Sequence, residues 1–144
     1  MGTKGINRIL VNTVAKPSPE SVKQFHDQLL VADIDNLSDD YIRHVYYSQL
    51  LPGAQNSFLS LLENVLTLKG WRKSLYIGDK LSQLKITVHF VWGDQDAFEK
   101  PESALPKVSA IDEYTFGKVE DAGHCPWLDQ PEYCSRLISS LLKK

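Results

Sequence analysis

An α/β protein is predicted, on three observations. A nearly unbroken apolar, β-branched run from Ile86 to Trp92 ends at Gly93 in "ITVHFVWGDQDAF" and reads as a buried parallel strand. A second strand, Tyr114–Val119, follows after a short crossover and empties into a loop, "EDAGHCPW". Ahead of both lies a succession of amphipathic helices. Two parallel strands joined by a crossover end at the same edge of their sheet, and open α/β sheets carry their sites at that edge. The unit therefore brings Asp96 and His124, 28 positions apart, to one locus. A carboxylate that orients an imidazole is two-thirds of a nucleophilic triad.

In chain order, Ile6–Val14 is read as a strand or a short helix, the two being left open, within an N-terminal segment 1–16. Pro17-Ser18-Pro19-Glu20 starts a helix, with Ser18 as N-cap and Pro19 at the first helical position. Val22, Phe25, Leu29 and Leu30 then share a face. "ADIDNL" interrupts, and Ser38-Asp39-Asp40 starts a second helix carrying Ile42, Val45, Tyr46 and Leu50. Pro52-Gly53 precedes a third, from about Ala54 to Leu68, with Phe58, Leu61, Leu62 and Val65 apolar. Trp71–Lys80 has no clear period, and Leu81 and Leu84 form a last helical turn or loop. Pro101–Leu105 reads as a crossover helix ended near Pro106. Asp129 is expected as N-cap of the terminal helix, with Glu132 completing a capping box. Cys134, Leu137, Ile138, Leu141 and Leu142 form its buried stripe. Lys143 and Lys144 suit its C-terminal dipole. The chain thus reads as a helical block, 17–80, and a β-α-β-α block, 81–144, packed as one unit.

Composition excludes several classes. The 144 residues suffice for one domain with a core, and 42% hydrophobic and 24% charged residues are those of a soluble globular protein. With a net charge of −2 and no basic block, neither nucleic acid nor an anionic membrane has an electrostatic footprint. The apolar runs are too short to span a bilayer. "MGTKGINRI" lacks the apolar region of a signal peptide and does not fit a myristoylation motif. Two cysteines without metal-type spacing point to a reducing, cytoplasmic setting.

The other candidate residues divide between chemistry and packing. Asp94 is expected to cap a turn or meet solvent. His89, inside a strand, is expected to be a hydrogen-bonded structural residue, and His26 and His44 to face solvent. Asp94, Asp96 and His124 are chemically adequate for a divalent metal, though their spacing gives that reading no particular support. Cys125 precedes a proline and is better explained by packing than as a nucleophile. Trp92 and Trp127 flank the locus, either lining a pocket or belonging to the core.

"VWGDQDAFEKP" followed by "VEDAGHCPWLDQPE" resembles the C-terminal third of an α/β-hydrolase. In that family one strand ends in G-x-x-D with the triad acid, the next ends in a G-H loop with the base, and a helix opening on a P-E pair closes the domain. The resemblance spans about residues 6–142 and implies a partial α/β-hydrolase fold: a helical cap, then the last parallel strands and the C-terminal helix. It implies Asp96 as acid and His124 as base. Trp127, which flanks the locus, is the candidate substrate contact, and neither a metal nor a cofactor is expected. The helical block is similar in style to caps of the carbon–carbon bond hydrolases of aromatic-ring degradation and of related esterases. The nucleophile elbow G-x-S-x-G occurs nowhere in these residues.

Two functions follow as expectations. The chain is a hydrolase portion acting on a small ester or carbon–carbon substrate once an N-terminal half supplies a serine or aspartate nucleophile, or it is an inactive, truncated, partner-binding module. Alone it should show no turnover. Its open parallel edge should favour a homodimer or a complementary hydrolase fragment as partner.

Overall fold

The structure is a computed structural model and describes residues 16–67, 70–75 and 77–142. The segment 6–14 lies outside them. The described residues divide into two compact units, one holding 16–22 with Asp39–Ile77, the other Lys23–Ser38 with 78–142.

In the first unit, helix α1 (Pro19–Leu29) begins as its sequence implies. Ser21 N–H donates to Ser18 Oγ at 3.1 Å while Ser18 N–H donates to Ser21 Oγ at 3.0 Å, a reciprocal exchange that satisfies two otherwise orphaned donors. Val22 is buried on this helix. Helix α2 (Asp39–Gln49) buries Ile42 and leaves His44 exposed. Helix α3 (Ala54–Val65) follows Gly53, whose φ of +85° suits glycine. Its buried residue is Leu59, whereas Phe58 and Leu61 are 49% and 57% exposed, so the apolar stripe sits one position round from the expected one. The helix also ends earlier than expected. β1 (Leu66–Thr67) pairs antiparallel with β2 (Gly70–Trp71). Arg72 closes this turn, its backbone N–H donating to Val65 O and its guanidinium to Glu63 O. Both carbonyls belong to the last turn of the helix, where C=O groups run out of intrahelical donors.

The second unit is a β-α-β-α arrangement. After 3-10 turns at Lys73–Leu75, in the first unit, and Gly78–Gln83, strand β3 (Val88–Gly93) pairs in parallel with β4 (Tyr114–Val119), Val88 opposite Tyr114 and Gly93 opposite Val119. β3 begins two residues later than expected, and Ile86 is 67% exposed. It is also only partly buried until Gly93, a correction to the fully buried strand, because β4 is its single sheet neighbour among the described residues. Helix α4 (Pro101–Val108) runs past Pro106. The proline forfeits one backbone donor, but Ala104, Val108 and the following Ile111 are buried and hold the last turn in place. Val119, Ala122 and Cys134 form one core cluster, with Val91 against it. Cys134 comes from α6 (Pro131–Leu141), which packs on β4 after the one-turn helix α5 (Pro126–Asp129). Within the expected α6 stripe, Leu142 (77%) and Ile138 (45%) are exposed.

Residues 23–38, placed with the helical block by sequence, join this second unit through Cys125 N–H, which donates to Leu30 O, and through Asp129. His26 is here and is 4% exposed, not solvent-facing: it lies one helical turn after Val22 and shares that residue's inward face.

Candidate active site

β3 ends at Gly93, and the turn after it docks on the turn after β4. Asp94 N–H donates to Val119 O and Gln95 N–H to Ala122 O, each at 2.9 Å. Asp94 Oδ1 in return accepts from Ala122 N–H at 3.2 Å, which gives that carboxylate the turn-capping role. The approach is so close that a Cβ on Gly93 would stand 2.0 Å from Gly123 O. Asp121 turns the β4 chain back with φ +51°, a conformation that aspartate tolerates better than most residues.

This docking brings Asp96 and His124 together. Asp96 is 4% exposed. Its Oδ1 accepts from the backbone N–H groups of Phe98, at 2.7 Å, and Glu99, at 3.2 Å, while Oδ2 lies 2.9 Å from His124 Nδ1. A carboxylate can only accept, so Nδ1 carries a proton, and in the neutral imidazole the lone pair is then on Nε2. The imidazole is 45% exposed. The Phe98 ring packs on it at a centroid distance of 4.5 Å, so one residue orients the acid through its backbone and the base through its side chain. A fixed, partly open imidazole of this tautomer can accept a proton at Nε2 and return it.

The neighbours have other work. His89 Nδ1 and Thr115 Oγ1 share a hydrogen bond of 2.8 Å across the strands, as expected of a structural histidine. Trp92 stacks on Phe116 at 5.8 Å and donates Nε1–H to Glu99 O at 2.8 Å. Trp127 is 55% exposed and lines an apolar groove of about 290 Å³ with His89, Val91, Cys134, Ile138 and Leu141; neither Asp96 nor His124 contributes to that lining. Among the described residues, no group of three or more His, Cys, Asp or Glu side chains converges to hold a metal. No helix among them is long and apolar enough to cross a membrane.

Cys125 is the residue before α5, a helix start the sequence did not reveal. Burial, then the negative charges of Asp129 and Asp96, raise its thiol above the ordinary cysteine value. At any given pH less of it is thiolate than in a free cysteine. Its alkylation by iodoacetamide should therefore be slower at neutral pH and rise only at more alkaline pH, and mass spectrometry of the modified peptide follows this. A fast reaction at pH 7 would contradict it.

Asp129 is the residue that sequence reasoning misplaced. It is not an N-cap: α6 follows Gln130, which makes no side-chain capping bond. Its side chain is 6% exposed and accepts from Gly123 N–H (2.8 Å), Ala32 N–H (3.0 Å to either oxygen), Asp33 N–H (3.2 Å) and Asn36 Nδ2–H (3.3 Å). Hydrogen bonds to a charged acceptor contribute roughly 1.5–3 kcal/mol each before context, and leaving a buried N–H unmet costs about as much. The local capping pattern lost to a set of long-range donors.

A parallel strand pair joined by a crossover helix and followed by a terminal helix packed on it is an arrangement found in the α/β-hydrolase fold. The chain has that fold in part. Solved structures with the same fold include a serine hydrolase involved in carbazole degradation (TM-score 0.76, 16% identity), covering 89% of this chain and 48% of the other. A meta-cleavage product hydrolase from Pseudomonas fluorescens IP01 matches with TM-score 0.70 and 20% identity, over 99% of this chain and 50% of that one. The 2-hydroxy-6-oxo-6-phenylhexa-2,4-dienoate hydrolase from Rhodococcus sp. strain RHA1 matches with TM-score 0.71 and 16% identity, over 100% and 50%. The chain thus spans about half the length of these proteins. No family model and no curated protein sequence matches it.

Proposed function

We propose that this chain supplies the acid and base of a nucleophile–His–Asp triad in a hydrolase of ester or carbon–carbon bonds. The nucleophile comes from polypeptide outside these 144 residues. The observation that carries this reading is the 2.9 Å contact between Asp96 Oδ2 and His124 Nδ1, with Asp96 Oδ1 already held by two backbone donors. His124 Nε2 takes the proton of a serine nucleophile as it attacks the substrate carbonyl, and later returns it to the leaving group; an aspartate nucleophile would need it only to activate water. Asp96 keeps the tautomer and stabilises the imidazolium. The helices of the first unit, α2 and α3, act as the cap, and the substrate is a small molecule.

The partner in this reading is the nucleophile-bearing polypeptide. β3 has a single sheet neighbour among the described residues, and the groove beside it is apolar, which suits added sheet and helix. A non-enzymatic chain that pairs with itself through that edge is the alternative. A hybrid with the N-terminal half of a meta-cleavage product hydrolase ahead of this chain separates them. The folded hybrid should hydrolyse p-nitrophenyl acetate, and His124→Ala should remove that activity. A folded hybrid that is inactive, or indifferent to His124→Ala, overturns the proposal.

A further inference from the structure

We propose that Asp129 is a positioning residue for the Asp96–His124 pair: its buried carboxylate fastens the backbone immediately before His124 to the 31–36 segment and so sets where the imidazole stands. The inference adds a residue to the pair, and its test reads the geometry of the pair without reference to hydrolysis.

Gly123 is the link. Its N–H donates to Asp129 Oδ2 at 2.8 Å, and the next residue along is His124. On its other side the chain is pressed against the same segment that Asp129 holds. A Cβ on Gly123 would lie 2.7 Å from Val31 C and 2.8 Å from Leu30 O, and Cys125 N–H donates to Leu30 O at 2.8 Å. His124 is therefore flanked on both sides by backbone anchored to residues 30–33. The anchor on the Gly123 side is a single side chain with four N–H groups directed at it. That number explains why a carboxylate stands here. Two oxygens can serve four donors, whereas an amide offers one acceptor and turns an N–H₂ group toward donors. The Phe98 ring packs on the imidazole and Asp96 holds Nδ1. Without Asp129 those two contacts would have to hold a loop free to drift.

The readout is the tautomer and exchange behaviour of the His124 ring, measured by 15N and proton NMR at alkaline pH. The whole chain should show His124 in a single Nδ1–H form with a slowly exchanging ring proton. Asp96→Asn is the reference for complete loss of that signature. Asp129→Asn, which keeps the size of the side chain, should give a mixture of tautomers and a ring proton exchanging at least tenfold faster. Asn36→Asp should move the signature the same way by a smaller amount. It lies on the exposed side of Asp129, touches neither Asp96 nor His124, and replaces a donor with a like charge. If Asp129→Asn does not fold, Asn36→Asp decides alone. Folded variants with the native tautomer and exchange rate would overturn the proposal, leaving Asp129 as a contributor to stability only.

Discussion

Gly93→Ala should destabilise the chain by about 3 kcal/mol or more, at the upper end of what a single added methyl does to a packed site. The new Cβ would stand 2.0 Å from Gly123 O, 2.3 Å from Ala122 O and 2.7 Å from Ala122 C. All three atoms are backbone, so no side-chain rotation relieves the overlap. The backbone is pinned besides, by Gln95 N–H on Ala122 O and by Gly123 N–H on Asp129. The two turns must separate, and with them the loops that carry Asp96 and His124. Gly117→Ala is the control. Its Cβ would approach Leu137 Cδ2 at 2.9 Å, the end of a side chain that can turn aside, and a cost below about 1.5 kcal/mol is expected. Urea unfolding followed by tryptophan fluorescence measures both. A Gly93→Ala midpoint equal to the native one would show that the turns are not in the contact described.

In the hybrid enzyme, Asp96→Asn should lower kcat by about 10⁴-fold, about as much as His124→Ala, with KM little changed. The size follows from the hydrogen bonds. Phe98 and Glu99 direct two N–H groups at Oδ1, so the amide oxygen of an asparagine must take that position. Its N–H₂ group then faces His124 Nδ1, which has to become the acceptor. The ring proton moves to Nε2, where the lone pair is needed to take a proton from the nucleophile. Position and packing are unchanged, yet the imidazole is in the wrong form. Steady-state kinetics with p-nitrophenyl acetate decides this, and a kcat within tenfold of the native hybrid would mean that His124 is not the base.

Much of the site was legible in the sequence because chain direction alone dictates it. Parallel strands ending at one sheet edge bring Asp96 to His124 whatever else surrounds them, and His89, half-buried within β3, finds Thr115 across the strands. The misreadings have a common physical origin. Asp129 matched a local capping pattern, but its four donors lie at residues 32, 33, 36 and 123, which no local pattern contains. His26 and Leu59 were misjudged because an apolar stripe does not by itself say which flank of a helix meets other chain. Phe98 escaped notice because ring packing on His124 depends on the turn geometry between positions 96 and 99. The early end of α3 was decided by Arg72, seven residues beyond the helix.

The grip of Asp129 also orders events in time. It ties together residues 96 and 97 positions apart, against 26 for the pairing of β3 with β4. Closing a loop of that length costs on the order of 4 kcal/mol in chain entropy, a cost shared with the Cys125–Leu30 backbone bond, which spans nearly the same loop. The strand pair should form early and the tie late, after the folding barrier has been crossed. Substitutions at Asp129 then speed unfolding and leave the refolding rate nearly unchanged. The loop bearing His124 becomes the last part of this unit to set and the first to loosen.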